Sequence, residues 1–198
     1  MDLRELAPVP TAALPLAGFK EHLRLGSGFA DTGAEDALLE RYLRAAIAEV
    51  ESLSGKALLV RSFQTWIEDW SLARLPLAPV GQILRVAAVT ADGEVADLDP
   101  ADFLLGADRH RPKVMTVSAL PPRIPAGGAL LLEIEAGFGA NWDDVPPELA
   151  LAVMQIGARH FEDRTATELD TIVAANNIAR LLRPWKAMSL GAVRGAGR

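Results

Sequence analysis

The stretch from residue 33 to residue 54 constrains this chain more than any other part of it. Leu39, Leu43, Ala46, Ile47, Val50 and Leu53 recur at spacings of three and four, which places them along one side of an α-helix. Thr32 and Glu35 stand at capping-box spacing, and Gly55 sits where a left-handed C-cap belongs. Arg41, Arg44, Glu49 and Glu51 fall largely off the apolar stripe. A helix with one apolar face draws most of its stability from what that face packs against. The rest of the chain must therefore supply a matching surface.

Three other segments share the period. Leu16, Phe19, Leu23 and Leu25 surround Lys20, Glu21 and Arg24, and the Gly26–Gly28 segment ends that short helix. Leu149, Val153, Ile156, His160 and Phe161 follow Pro146-Pro147-Glu148, with Asp143 or Asp144 available as a cap and a proline suited to the first turn. A fourth helix is expected over 173–182, stopped by Pro184. The expected helices are thus 16–25, 33–54, 146–163 and 173–182. Before the first of them, Pro8, Pro10 and Pro15 predict an extended arm.

Between the second and third helices the texture becomes β. Phe63, Thr65 and Ile67 alternate, Ile83–Thr90 is β-branched and apolar, and Asp92-Gly93 is a hairpin signal. Short strands are expected at Phe103–Gly106, Val114–Ser118 and Ala129–Glu135, the last preceded by a turn rich in proline and glycine. The expected fold is α+β: a bundle of about four helices, with an antiparallel β insertion over 57–137 between the second and third, and an extended C-terminal arm. Residues 1–183 form a single domain in this reading and 184–198 the arm. There is no internal repeat.

Charge divides the chain differently. The total is −6, yet residues 171–198 contain no acid and carry Arg180, Arg183, Lys186, Arg194 and Arg198, so residues 1–170 hold −11. Charge asymmetry of this kind points to partners. Trp185, Met188, Leu190 and Val193 are interleaved with those cations, the mixture of aromatic and basic residues that anchors protein interfaces. The arm is therefore read as a docking segment (Arg180, Arg183, Trp185, Lys186, Met188, Leu190, Arg194 and Arg198) that orders on binding, rather than as a solvated terminus. No groove-entering motif accompanies the charge, which argues against sequence-specific DNA reading.

Other chemistry is weakly represented. There is no cysteine, which excludes disulfides and thiolate sites and fits a reducing cytoplasm. Asp2, Arg4, Glu5, Lys20, Glu21 and Arg24 interrupt the opening segment, so no secretory signal is expected. No apolar run approaches the roughly 20 residues of a membrane span. His22, His110 and His160 are scattered, and His160, Glu162 and Asp163 occupy helix positions that point in different directions. Asp97, Asp99 and Asp102 lack the glycine and glutamate of a calcium loop. Gly26, Gly28 and Gly33 fit no phosphate loop, and Gly26-Ser27-Gly28 is no nucleophile elbow. Trp66 and Trp70, with Phe63 before them, are expected to share one face of a strand as core residues, lacking the interleaved cations of a nucleic-acid platform. No cofactor, metal or catalytic constellation is expected.

Several pieces, in order, carry a resemblance. They are Phe19-Lys20-Glu21-His22-Leu23-Arg24-Leu25; Asp36-Ala37-Leu38-Leu39 with Ala45-Ala46 and Val50-Glu51, leading to Gly55-Lys56-Ala57-Leu58; and Leu75-Pro76-Leu77-Ala78-Pro79-Val80. Glu135-Ala136-Gly137-Phe138-Gly139, Val145-Pro146-Pro147-Glu148-Leu149 and His160-Phe161-Glu162-Asp163-Arg164 follow. Together they resemble the head–tail connector (adaptor) proteins of long-tailed double-stranded DNA phages, and especially of the gene transfer agents of alphaproteobacteria. The resemblance implies a structural, non-enzymatic, twelvefold ring beneath the portal protein, assembled in the bacterial cytoplasm and ending in the particle's neck. It implies that the C-terminal segment inserts into the portal, that a stopper or tail-completion protein sits opposite, and that double-stranded DNA passes through the lumen without specific binding. An acidic wall would suit such a channel, because held phosphates slow transit. The family often carries a Tyr-Arg pair after its last helix, where this chain has Pro184-Trp185-Lys186. The rival readings are a nucleic-acid-binding module and a packaging-associated metal-dependent hydrolase using His160 and Glu162.

Overall fold

The structure is a computed structural model that describes residues 2–25, 33–162 and 168–187. Four α-helices, α1 (Leu16–His22), α2 (Gly33–Ser54), α3 (Pro147–Glu162) and α4 (Glu168–Leu182), flank seven strands. These are β1 (Leu3–Glu5), β2 (Arg61–Ile67), β3 (Val80–Val89), β4 (Val95–Leu98), β5 (Phe103–Leu105), β6 (Val114–Thr116) and β7 (Ala129–Ala136). The α+β reading, with the sheet inserted between the second and third helices, holds. Thr32, Asp163 and residues 188–198 lie outside the described residues, as do Gly26, Ser27 and Gly28.

The helices pack around the predicted stripe. Leu39, Leu43, Ala46, Ile47 and Val50 of α2 are buried together with Leu149, Ala152, Val153 and Ile156 of α3. Each leucine, isoleucine and valine among them contributes about 1.5–3 kcal/mol by leaving water. Phe19 of α1 is wholly buried in the same cluster. A Cβ placed on Gly157 would stand 2.9 Å from two atoms of the Phe19 ring, so the missing side chain on α3 makes room for that ring. Leu53, expected on the stripe, is exposed instead. The buried row from Leu39 through Leu43 and Val50 continues at Ser54, whose hydroxyl donates to the Val50 carbonyl at 2.7 Å.

Two ends of the reading need correction. The N-terminal segment is extended, but residues 3–5 pair antiparallel with β2, Leu3 opposite Thr65 and Glu5 opposite Phe63. The prolines start only after that strand, so nothing prevents its ladder from forming. The last helix begins at Glu168, five residues before the expected start, because the sequence of its first turn lacks the apolar spacing that marked the rest.

The five-stranded antiparallel sheet runs β1-β2-β7-β3-β4, with β5 and β6 forming a separate pair. One face of central β7, Leu130, Leu132, Ile134 and Ala136, is buried with Phe63 and Ile67 of β2. The opposite face is largely polar: Glu133 meets Arg85 at 3.4 Å and Glu135 meets Gln82 at 3.1 Å. The Asp92-Gly93 turn joins β3 to β4, with Gly93 at φ 84°. Trp66 and Trp70 do not share a strand face, because β2 ends at Ile67 and Trp70 opens a 3-10 turn. There Trp70 stacks on Phe103 and its indole donates to the Pro122 carbonyl at 3.0 Å. Asp144, a candidate cap for α3, accepts from Asn141 N at 3.0 Å in the preceding turn.

Residues 56–61 join the two halves. Leu58 and Leu59 belong to the helical core and Ala57 to the sheet core. Gly137 has φ 141° and lies so close to the backbone of Leu59 and Val60 that no Cβ fits there. Arg61 clamps the seam: Nη2 meets Glu51 of α2 at 2.6 Å and Nε meets Glu5 of β1 at 2.8 Å. Burial works against that guanidinium's charge, yet the hydrogen bonds and charges of Glu51 and Glu5 prevail and raise its pKa.

Candidate docking site at the root of the C-terminal segment

Of the predicted arm residues, Arg180, Arg183, Trp185 and Lys186 are described, whereas Met188, Leu190, Arg194 and Arg198 lie outside the described residues. Arg180 is exposed on α4, and Arg183 and Lys186 are exposed beyond it. Trp185 is different. After α4 the chain makes a 3-10 turn over Arg183–Trp185, with Pro184 supplying the fixed φ that such a turn accepts. That turn swings the Trp185 side chain into the helical core, where it is 7% exposed.

Three groups that sequence reasoning did not single out for this site hold Trp185 there. The Phe138 ring meets it edge-on, with centroids 5.6 Å apart. The Arg109 guanidinium lies 4.5 Å over its ring, a cation–π contact. His110 Nδ1 stands 3.2 Å from the Trp185 carbonyl and 3.3 Å from Lys56 Nζ. A neutral ring carries one proton, so these two contacts are alternatives: Nδ1–H donates to Trp185, and a bare Nδ1 accepts from Lys56. Lys56 also donates to the Arg109 carbonyl and is 1% exposed. Burial, followed by the neighbouring charge of Arg109, pushes its pKa below the ordinary lysine value. The one advance signal was placement, since Lys56 follows the Gly55 cap and His110 sits between two arginines.

Beside this anchor lies an open recess of about 730 Å³, lined among others by Arg74, Asp108, Arg111, Arg183, Pro184 and Lys186. Asp108 is its single acid. The carboxylate accepts from the N–H groups of His110 and Arg111 at 2.8 and 3.0 Å, which hold its pKa below the usual value. Its second oxygen is 3.7 Å from Arg74.

The rival sites do not assemble. His160 faces Glu49 of α2 at 3.5 Å and stacks on Tyr42. Asp97 pairs with Arg85 at 2.8 Å, and Asp99 caps a turn through Ala101 N. Among the described residues no group of three or more His, Asp or Glu is placed to hold a metal ion, and no helix is long and apolar enough to cross a membrane.

No family model matches the chain, and no curated protein does. Solved structures do. A chain in the neck of an empty gene transfer agent particle, computed with C6 symmetry, is 38% identical over 98% of this chain and 100% of its own, with a TM-score of 0.84. This chain belongs to the head–tail adaptor family of gene transfer agents. Two further matches agree. One is a chain of a native gene transfer agent virion, 38% identical over 97% of this chain and 99% of that one, with a TM-score of 0.80. The other, from a native neck computed with C12 symmetry, is 33% identical over 98% and 100%, with a TM-score of 0.79. Coverage of 97–98% of this chain means that the likeness takes in both the helices and the β insertion.

Proposed function

We propose that this chain is a structural adaptor of a phage-like particle: copies of it form a ring in the neck, between the portal protein and a stopper or tail-completion protein, and double-stranded DNA passes through without specific binding. The observation that carries the reading is the full-length likeness to a neck chain at 38% identity. The C12 symmetry of the native neck in which a second match sits supports a twelvefold ring. The role involves no catalytic step and no cofactor. Assembly takes place in the bacterial cytoplasm.

The body runs through Ala187 in this reading, because Trp185 packs in the core. Residues 188–198 form the portal-docking arm, with Met188 and Leu190 as apolar anchors and Arg194 and Arg198 steering the approach. Arg180, Arg183 and Lys186 extend the same basic surface onto the body.

Cryo-electron microscopy of the particle neck tests the position directly, and density for this chain away from the portal–tail junction defeats it. Truncation tests the arm. A chain ending at Ala187 should keep its thermal midpoint while particles assemble filled heads without tails. Truncation at Leu182 is a poorer probe, since it also removes Trp185 from the core.

A further inference from the structure

The recess beside Trp185 holds charge that the fold does not use. Arg111, Arg183 and Lys186 are exposed around it and make no ion pair among the described residues. Asp108 carries a single negative charge and already stands 3.7 Å from Arg74, so it offsets one cation and leaves the other three. Four cations around one committed acid leave a concave surface with a strong positive field.

We propose that this recess is a carboxylate-binding site that takes an acidic peptide segment of the protein receiving the C-terminal arm. The proposal rests on the reading of residues 188–198 as that arm. Arg183, Pro184, Lys186 and Ala187 line the recess, so it adjoins the point where the arm of that reading leaves the body. The recess suits a peptide better than a duplex. Its volume of about 730 Å³ accommodates several side chains, with Pro184 and Ala187 offering apolar contact beside the cations. A DNA rod extending past the recess would run along a chain whose net charge is −6, whereas a short acidic segment needs only the recess. Arg111 and Arg183 present guanidinium forks, which bind carboxylates through paired hydrogen bonds.

The test uses the full chain and hexaglutamate as probe, with binding followed by calorimetry. Binding is expected at low salt and about tenfold weaker near 0.3 M salt. It should be lost in an Arg111→Glu/Arg183→Glu variant and weakened in Arg111→Gln/Arg183→Gln, with circular dichroism and thermal midpoint unchanged. Arg123→Glu, a charge reversal away from the recess, should bind like the parent. Equal binding by the parent and the double reversal overturns the proposal. Tighter binding of a short DNA duplex, lost in the same double variant, assigns the recess to nucleic acid and also overturns it. Self-association of the parent abolished by those substitutions assigns it to a second copy, with the same consequence. The chain ending at Ala187 separates the two readings. If it still enters necks, the arm reading falls while the hexaglutamate result stands; if it fails to enter while the intact chain ignores hexaglutamate, the recess proposal falls alone.

Discussion

The helical half and the sheet half of this molecule are closed in opposite ways. The helical core is sealed from both directions along the chain: Val9 and Leu14 cover it from one side of the sequence and Trp185 from the other. The sheet buries one face in its own core, and on the other it sets polar pairs of Arg85, Asp97, Gln82, Glu133 and Glu135 beside buried Leu131 and Ala87. Its accessory pair β5–β6 even shows apolar side chains to solvent, with Leu104 and Met115 directly opposite each other and both exposed. The difference separates tasks. A core closed all round resists change, and the half-open sheet with its exposed hairpin offers surface for neighbours.

Substitutions sharpen that contrast. Phe19→Ala should cost about 4 kcal/mol, because it leaves a cavity facing Gly157 that two rigid helices cannot fill; urea denaturation measures it. A loss under about 1 kcal/mol would mean that the helical half is loosely packed after all. Lys56→Met probes the seam and should cost about 1 kcal/mol at neutral pH through the lost bonds to Arg109 and His110. Its pH dependence has a definite sign. Burial lowers the folded pKa of Lys56 below the ordinary lysine value, so the unfolded chain binds more protons in that interval and the parent gains stability as pH rises through it. The parent's advantage over Lys56→Met should therefore widen toward pH 10.5, as read from paired thermal melts. At the open end, Leu104→Ser should change stability by less than about 0.5 kcal/mol, and a larger loss would show that the hairpin is part of the core.

The same contrast explains what was legible in the sequence. Period alone found α2 and α3, since Leu39, Leu43 and Val50 answer to Leu149, Val153 and Ile156, and it found β2 and the Asp92-Gly93 hairpin. It missed β1, because three residues of strand have no period to detect and their partner lies about sixty positions away. Trp185 misled for a related reason. Flanked by Arg183 and Lys186 and following a proline, it had every local mark of an exposed anchor, and only the distant Phe138, Arg109 and His110 turn it inward. The recess was invisible for the same cause: Arg183 and Lys186 were read as part of the arm, but nothing local joins them to Arg74 and Arg111, which distant segments bring beside them.

The burial of Trp185 also has a consequence in time. During synthesis β1, α1 and α2 emerge first, the other strands follow, and α3 and α4 come late, so the helical core stays unfinished until residue 185 has left the ribosome. Closure over so long an insertion is slow compared with local folding. A chain interrupted within α4 would present an open apolar face, the kind of surface that chaperones and proteases act on, and would be culled before it reached a particle. Closing the helical core thus requires synthesis through Trp185.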